Sequence, residues 1–129
     1  MTIEELLKDK AIKSKEKTEI ISKWILEKSL PVDELIAFAE SQKDSAMATC
    51  IEALEYATKE HPEIANENVL NFVTDTLTSK VPRIKWESAK VIGNIAHLFN
   101  TRLKTPIAHL LINTAHEGTV VRWSAAFAL

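Results

Sequence analysis

Trp86-Glu87-Ser88-Ala89-Lys90-Val91-Ile92-Gly93-Asn94-Ile95-Ala96 is the stretch on which the fold turns. A large apolar residue is followed by small or apolar ones three, six or seven, and ten places on, the spacing of one face of a helix that a neighbour approaches closely. The phrase has an earlier copy in Met47, Cys50, Ala53, Leu54 and Ala57, and a later one in Trp123, Ala126 and Leu129. The copies begin 39 and 37 residues apart. A helical phrase returning every ~40 residues predicts stacked helical pairs, because a pair that cannot bury its apolar face alone buries it against the next. The expected class is therefore all-α: an α-solenoid (α–α superhelix) of about three antiparallel helix pairs plus N-terminal helices, in one domain spanning 1–129.

Breakers and caps place the pairs. Thr2-x-x-Glu5 is a capping box that opens a short helix. Ser14 is a candidate cap for a helix running to about Lys28, with Ile20, Ile21, Trp24 and Ile25 as its stripe. Pro31 ends that segment and can start the next. Asp44 is expected to cap a long helix to about Glu60, which His61-Pro62 breaks. The predicted pairs are 32–42 with 44–60, 62–78 with 82–99, and 102–116 with 119–129, joined by short linkers as antiparallel neighbours require.

Composition bounds the rest. The chain is 46% hydrophobic and 26% charged, has two glycines, and carries no run of the ~20 apolar residues that a membrane span needs. Its first residues lack the basic and apolar regions of a signal peptide, so the expectation is a cytoplasmic protein with no membrane partner. The single cysteine, Cys50, stands where the other copies have Ala89 and Ala126, and reads as a small buried thiol rather than a nucleophile. The net charge of −2 is unevenly spread: residues 29–78 carry −8 and residues 79–129 carry +5. Such polarity steers partners of mixed charge or favours head-to-tail contact between copies, against the plainer reading of solvated helix faces.

Pro106-Ile107-Ala108-His109-Leu110-Leu111 followed by Val120-Val121-Arg122-Trp123-Ser124-Ala125-Ala126 resembles a HEAT repeat, with an outer helix, a turn, and an inner helix opened by valine–arginine. Arg122 falls on that family's arginine position and Ala126 on a small position. Pro82-Arg83-Ile84-Lys85-Trp86 through Gly93 resembles the same inner helix, with Lys85 in place of arginine. The likeness covers about 100 residues. It implies a scaffold whose second helices line a concave face, and leaves the task open. The last copy stops at Leu129, short of the helical turns and polar outer face that the pattern expects. This reads as a chain truncated at its C-terminus, with self-association through the apolar final helix as the other reading.

If second helices line a groove, the resemblance puts Arg83, Glu87, Lys90, Asn94 and His97 on its floor, with Glu55 and Phe127 at matching points of the neighbouring copies. The expected function is a non-enzymatic scaffold that binds a protein or peptide segment there, with Arg83 and Lys90 meeting carboxylates or phosphates. The structural reading of Trp86, Trp123, Lys85 and Arg122 is repeat-to-repeat packing and hydrogen bonding. The alternative is a nucleic-acid-binding HEAT-like protein related to DNA-alkylation-repair glycosylases, using Arg83, Lys85, Lys90, Arg102, Lys104 and Arg122 on phosphates and Trp86 or Trp123 on a base. A pI of about 6.1, and the placing of Lys90 and Asn94 on the groove arc of the helix that bears Trp86, weigh against it. A HEAT-type lyase acting on a bilin chromophore is a third reading. No cofactor or metal is expected: His109 and His116 are seven residues apart, about 10 Å along a helix, too far to share an ion.

Overall fold

Thr2 does open the first helix: its hydroxyl accepts the Glu5 amide at 3.1 Å. A computed structural model describes residues 2–115 and 118–128, without the side chains of Thr119, Val120, Trp123, Ser124 and Phe127. Eight α-helices appear among the described residues: α1 Ile3–Lys8, α2 Ser14–Leu26, α3 Val32–Glu40, α4 Asp44–Glu60, α5 Glu67–Thr76, α6 Pro82–Ile95, α7 Lys104–Asn113 and α8 Thr119–Ala128. Short 3-10 turns at Pro62–Ile64 and Ala96–Leu98 follow α4 and α6, and no described residue is in a strand. The protein is all-α. None of the described helices is long and apolar enough to cross a membrane.

Local chemistry sets the ends, in places against the sequence-based expectation. The predicted helix 62–78 is a 3-10 turn and then α5, because the Asn66 side chain accepts the Val69 amide at 3.1 Å and starts the helix there. Asp44 does not cap α4. Lys43 holds the cap position without a side-chain bond, and Asp44 is the first helical residue, where its charge still suits the helix dipole. At the end of α2 the Ser29 amide reaches the Trp24 carbonyl and the Lys28 amide reaches that of Ile25, each at 3.0 Å. Lys28 takes φ 62 to allow it, a left-handed position that usually falls to glycine.

Packing is serial. α4 lies against α2 on one flank and α6 on the other, and α6 in turn lies against α8. α3 packs on α4 and α5, α5 on α6, and α7 on α8 with lesser contacts to α5 and α6. Helices α2, α4, α6 and α8 thus make one layer, with α3, α5 and α7 laid over it. One hydrophobic core runs through the chain from Leu6 to Ala125, with Ile51, Leu54, Val73, Ile84 and Ile92 among its enclosed side chains. Within the repeated phrase, Met47 and Trp86 are both half-buried, and Cys50 and Ala89 are both buried. Ala126 is exposed, because α8 buries Val121 and Ala125 instead, and the side chain of Trp123 lies outside the described ones. Cys50 is completely enclosed, and burial pushes its thiol up to about 12.

Candidate functional site: the seam between α4 and α6

Four of the seven candidate residues project from α6, and the period of the helix puts Arg83, Glu87, Lys90 and Asn94 along one arc. That arc meets α4. The Arg83 guanidinium binds the Glu52 carboxylate at 2.8 Å, and the Lys90 ammonium binds that of Glu87 at 3.0 Å. Asn94 donates from its amide nitrogen to the Glu55 carbonyl and the Thr58 hydroxyl, each at 3.2 Å. Five of the predicted residues, with Glu55 on α4, are therefore brought together, but as a seam more than an open floor. The matching arc of α4 behaves alike: Ala48, Ile51 and Thr58 are buried there. His97 stands apart on the 3-10 turn after α6, exposed. The side chain of Phe127 lies outside the described ones.

The electrostatic centre of the seam is a pair of carboxyl groups. Glu87 is 3% exposed. Burial, and then a hydrogen bond shared with Glu52, push its carboxyl up to about 7 against the pull of Lys90. Burial also opposes ionisation of Glu52, but the Glu87 hydrogen bond and the Arg83 guanidinium outweigh it and hold that group below its ordinary value. With an arginine on one side and a lysine on the other, the two carboxyls make a closed set whose charges balance when both are ionised and which carries one excess positive charge when they share a proton. Lys90 is shifted upward: partial burial works the other way, and the Glu87 bond together with the charges of Glu87, Glu55 and Glu52 prevails. Tyr56, one turn from Glu52, has its phenol raised by burial and then by the same acids.

Glu52 and Tyr56 were not among the residues picked from sequence. The available signal was their position: Glu52, Glu55 and Tyr56 fall at i, i+3 and i+4 on one arc of α4. A second polar junction joins the next elements. Lys85 donates to the Asn113 side-chain oxygen at 3.0 Å and to the Leu77 carbonyl at 3.3 Å, while Asn113 donates to that same carbonyl at 3.2 Å. Lys85 is thus a link between α5, α6 and α7, the packing role expected of it.

The seam can hold two helices in register and can titrate near neutrality. It is ill-suited to proton transfer with a substrate, because the Glu87 carboxyl is shut in by α4 and Lys90. Beside it an open furrow of about 770 Å3 runs between α2 and α4, lined by Glu19, Leu26, Glu55, Tyr56, Lys59 and Glu60 among others. Among the described residues no group of three or more histidine, cysteine, aspartate or glutamate side chains is placed to hold a metal ion. No protein-family model, curated protein or solved structure matches this chain.

Proposed function

We propose that the chain is a non-enzymatic binding module of HEAT-like, armadillo-type α-solenoid architecture that holds a segment of a protein partner along the layer formed by α2, α4, α6 and α8. The observation that carries this reading is the serial packing, in which α2 lies against α4, α4 against α6 and α6 against α8, with α3, α5 and α7 laid over them. The furrow between α2 and α4 supplies a surface of mixed character, with Leu26 and Tyr56 for apolar contact and Lys59, Glu19 and Glu60 for polar contact. Chemistry on a small substrate is disfavoured, because the two groups with the largest displacements, Glu87 and Cys50, are both closed off.

The nucleic-acid alternative is weaker for a similar reason. Arg83 is engaged by Glu52, Lys85 by Asn113, Lys90 by Glu87 and Arg102 by Glu67, so these cations are already matched within the chain. The test is affinity capture from native lysate with the wild-type chain and with Tyr56→Ala/Lys59→Glu, two positions that line the furrow. The wild type is expected to retain a partner that the variant loses at equal melting temperature. Identical partners on both baits overturn the inner-layer assignment, and a gel shift with duplex DNA at about 50 mM salt restores the alternative.

A further inference from the structure

The opposite layer carries a second surface, independent of the one above. Between α3 and α5 lies a groove of about 540 Å3. Its floor is apolar, with Ile36 from α3, Met47 from the start of α4 and Phe72 from α5. Its rim holds Asp33, Glu40 and Asp75, and among the described residues no lysine, arginine or histidine lines it. The three carboxylates are not equivalent. Asp33 accepts hydrogen bonds from Asn66 at 2.9 Å and Asn68 at 3.1 Å, which hold it ionised and fix it across the end of the groove. The carboxylates of Glu40 and Asp75 have no hydrogen-bond or ion-pair partner among the described residues, and both are exposed.

Greasy floor and unmatched negative rim occur here in one concavity, within the stretch 29–78 that carries −8. We infer that the groove between α3 and α5 docks a short cationic amphipathic segment of a partner protein, with apolar side chains on Ile36, Met47 and Phe72 and lysine or arginine against Glu40 and Asp75. The neighbouring furrow sets the length of that segment. Across the Asn71–Asp75 ridge of α5 lies a second hollow of about 570 Å3, whose rim bears Lys104 beside the Glu67-paired Arg102. A long polycation crossing α5 meets like charge there, so the cationic run is confined to one groove.

The probe is a fluorescein-labelled hexapeptide alternating lysine and leucine, titrated with the full chain and read by fluorescence anisotropy. Saturable binding is expected, weakened about tenfold by Glu40→Lys/Asp75→Lys and less than about twofold by Glu16→Lys/Glu27→Lys, two exposed acids at the ends of α2 that line neither groove. Replacing leucine by serine in the peptide is expected to weaken binding about tenfold or more, since the floor then has nothing to cover. Circular dichroism melts of both variants check that the fold is kept, as these side chains are exposed. Equal loss in the two double variants would reduce the effect to diffuse attraction and overturn the inference, as would equal binding of the lysine–serine peptide. Absence of peptide binding, with a salt-sensitive dimer in sedimentation that Asp75→Lys abolishes, would assign the groove to a second copy and overturn it as well.

Discussion

Helix α4 and helix α7 are both rich in apolar residues, yet the fold treats them differently. α4 buries nine of its seventeen residues, on flanks covered by α2, α3 and α6. α7 buries three of ten and leaves Leu111 56% and Ile112 68% exposed, with Ile107 exposed beside them. Two of the three residues that α7 does bury are Pro106 and Asn113, so its hold on the rest of the molecule owes much to the polar junction with Lys85 and Leu77. The lesson is that hydrophobicity alone does not determine burial in a layered helical chain. A helix with a neighbour on each flank hides its apolar stripe, whereas one with a bare flank is secured by hydrogen bonds at its end.

Mutations at the two helices sharpen the contrast. Leu54→Ala, in the enclosed heart of α4, is expected to cost about 2–5 kcal/mol in urea unfolding. Leu111→Ala on α7 is expected to change stability by no more than about 0.5 kcal/mol. A large loss at Leu111 would show that the outer flank of α7 is covered in solution. Asn113→Ala removes a buried donor to Leu77 and an acceptor for Lys85, and is expected to cost about 1–3 kcal/mol. A negligible effect would mean that apolar contact, rather than the polar junction, secures α7.

The carboxyl pair on the central seam gives a test by pH. Glu87 titrates near 7 when folded and near the ordinary glutamate value when unfolded, so its folded state is disfavoured on ionisation. Its contribution is fully present below about pH 4.5 and is lost as pH rises through about 7. Melting temperatures are expected to fall over that window, and Glu87→Gln, which stays neutral and can still donate to Glu52, is expected to flatten the fall. Unchanged pH dependence in the variant would place the titration elsewhere. One expected effect is a gain. A Cβ on Gly93 would meet Ala128 of α8 at an ordinary 3.5–3.6 Å, so Gly93→Ala fits, and removing a glycine from α6 is expected to stabilise by up to about 1 kcal/mol. A loss on thermal melting would show that α6 and α8 approach more closely than that.

Much of the fold was legible because its punctuation is local. Pro31, His61-Pro62, Pro82 and Gly118 separate the helices, and the phrase that returns after ~40 residues falls in turn on α4, α6 and α8. The error at 62–78 came from competing start signals, where Pro62 permits a helix and Asn66 actually caps one. The site was half legible. A helical wheel gathers Arg83, Glu87, Lys90 and Asn94, since periodicity alone fixes their common arc. It says nothing of what that arc faces, and Glu52 lies 31 residues before the arginine it binds. For the same reason the charged arc read as open groove turned out to be largely matched from within. The groove between α3 and α5 draws its floor from three helices, and no single-segment pattern announces it.

Cys50, at the middle of α4, bears on how the molecule breathes. It is the sole sulfhydryl of the chain and has no access to solvent. A bulky alkylating reagent can reach it only when α4 parts from its neighbours, so the labelling rate under native conditions counts those openings directly. The residue is a natural clock for the separation of the layers, already installed where the protein is most tightly closed.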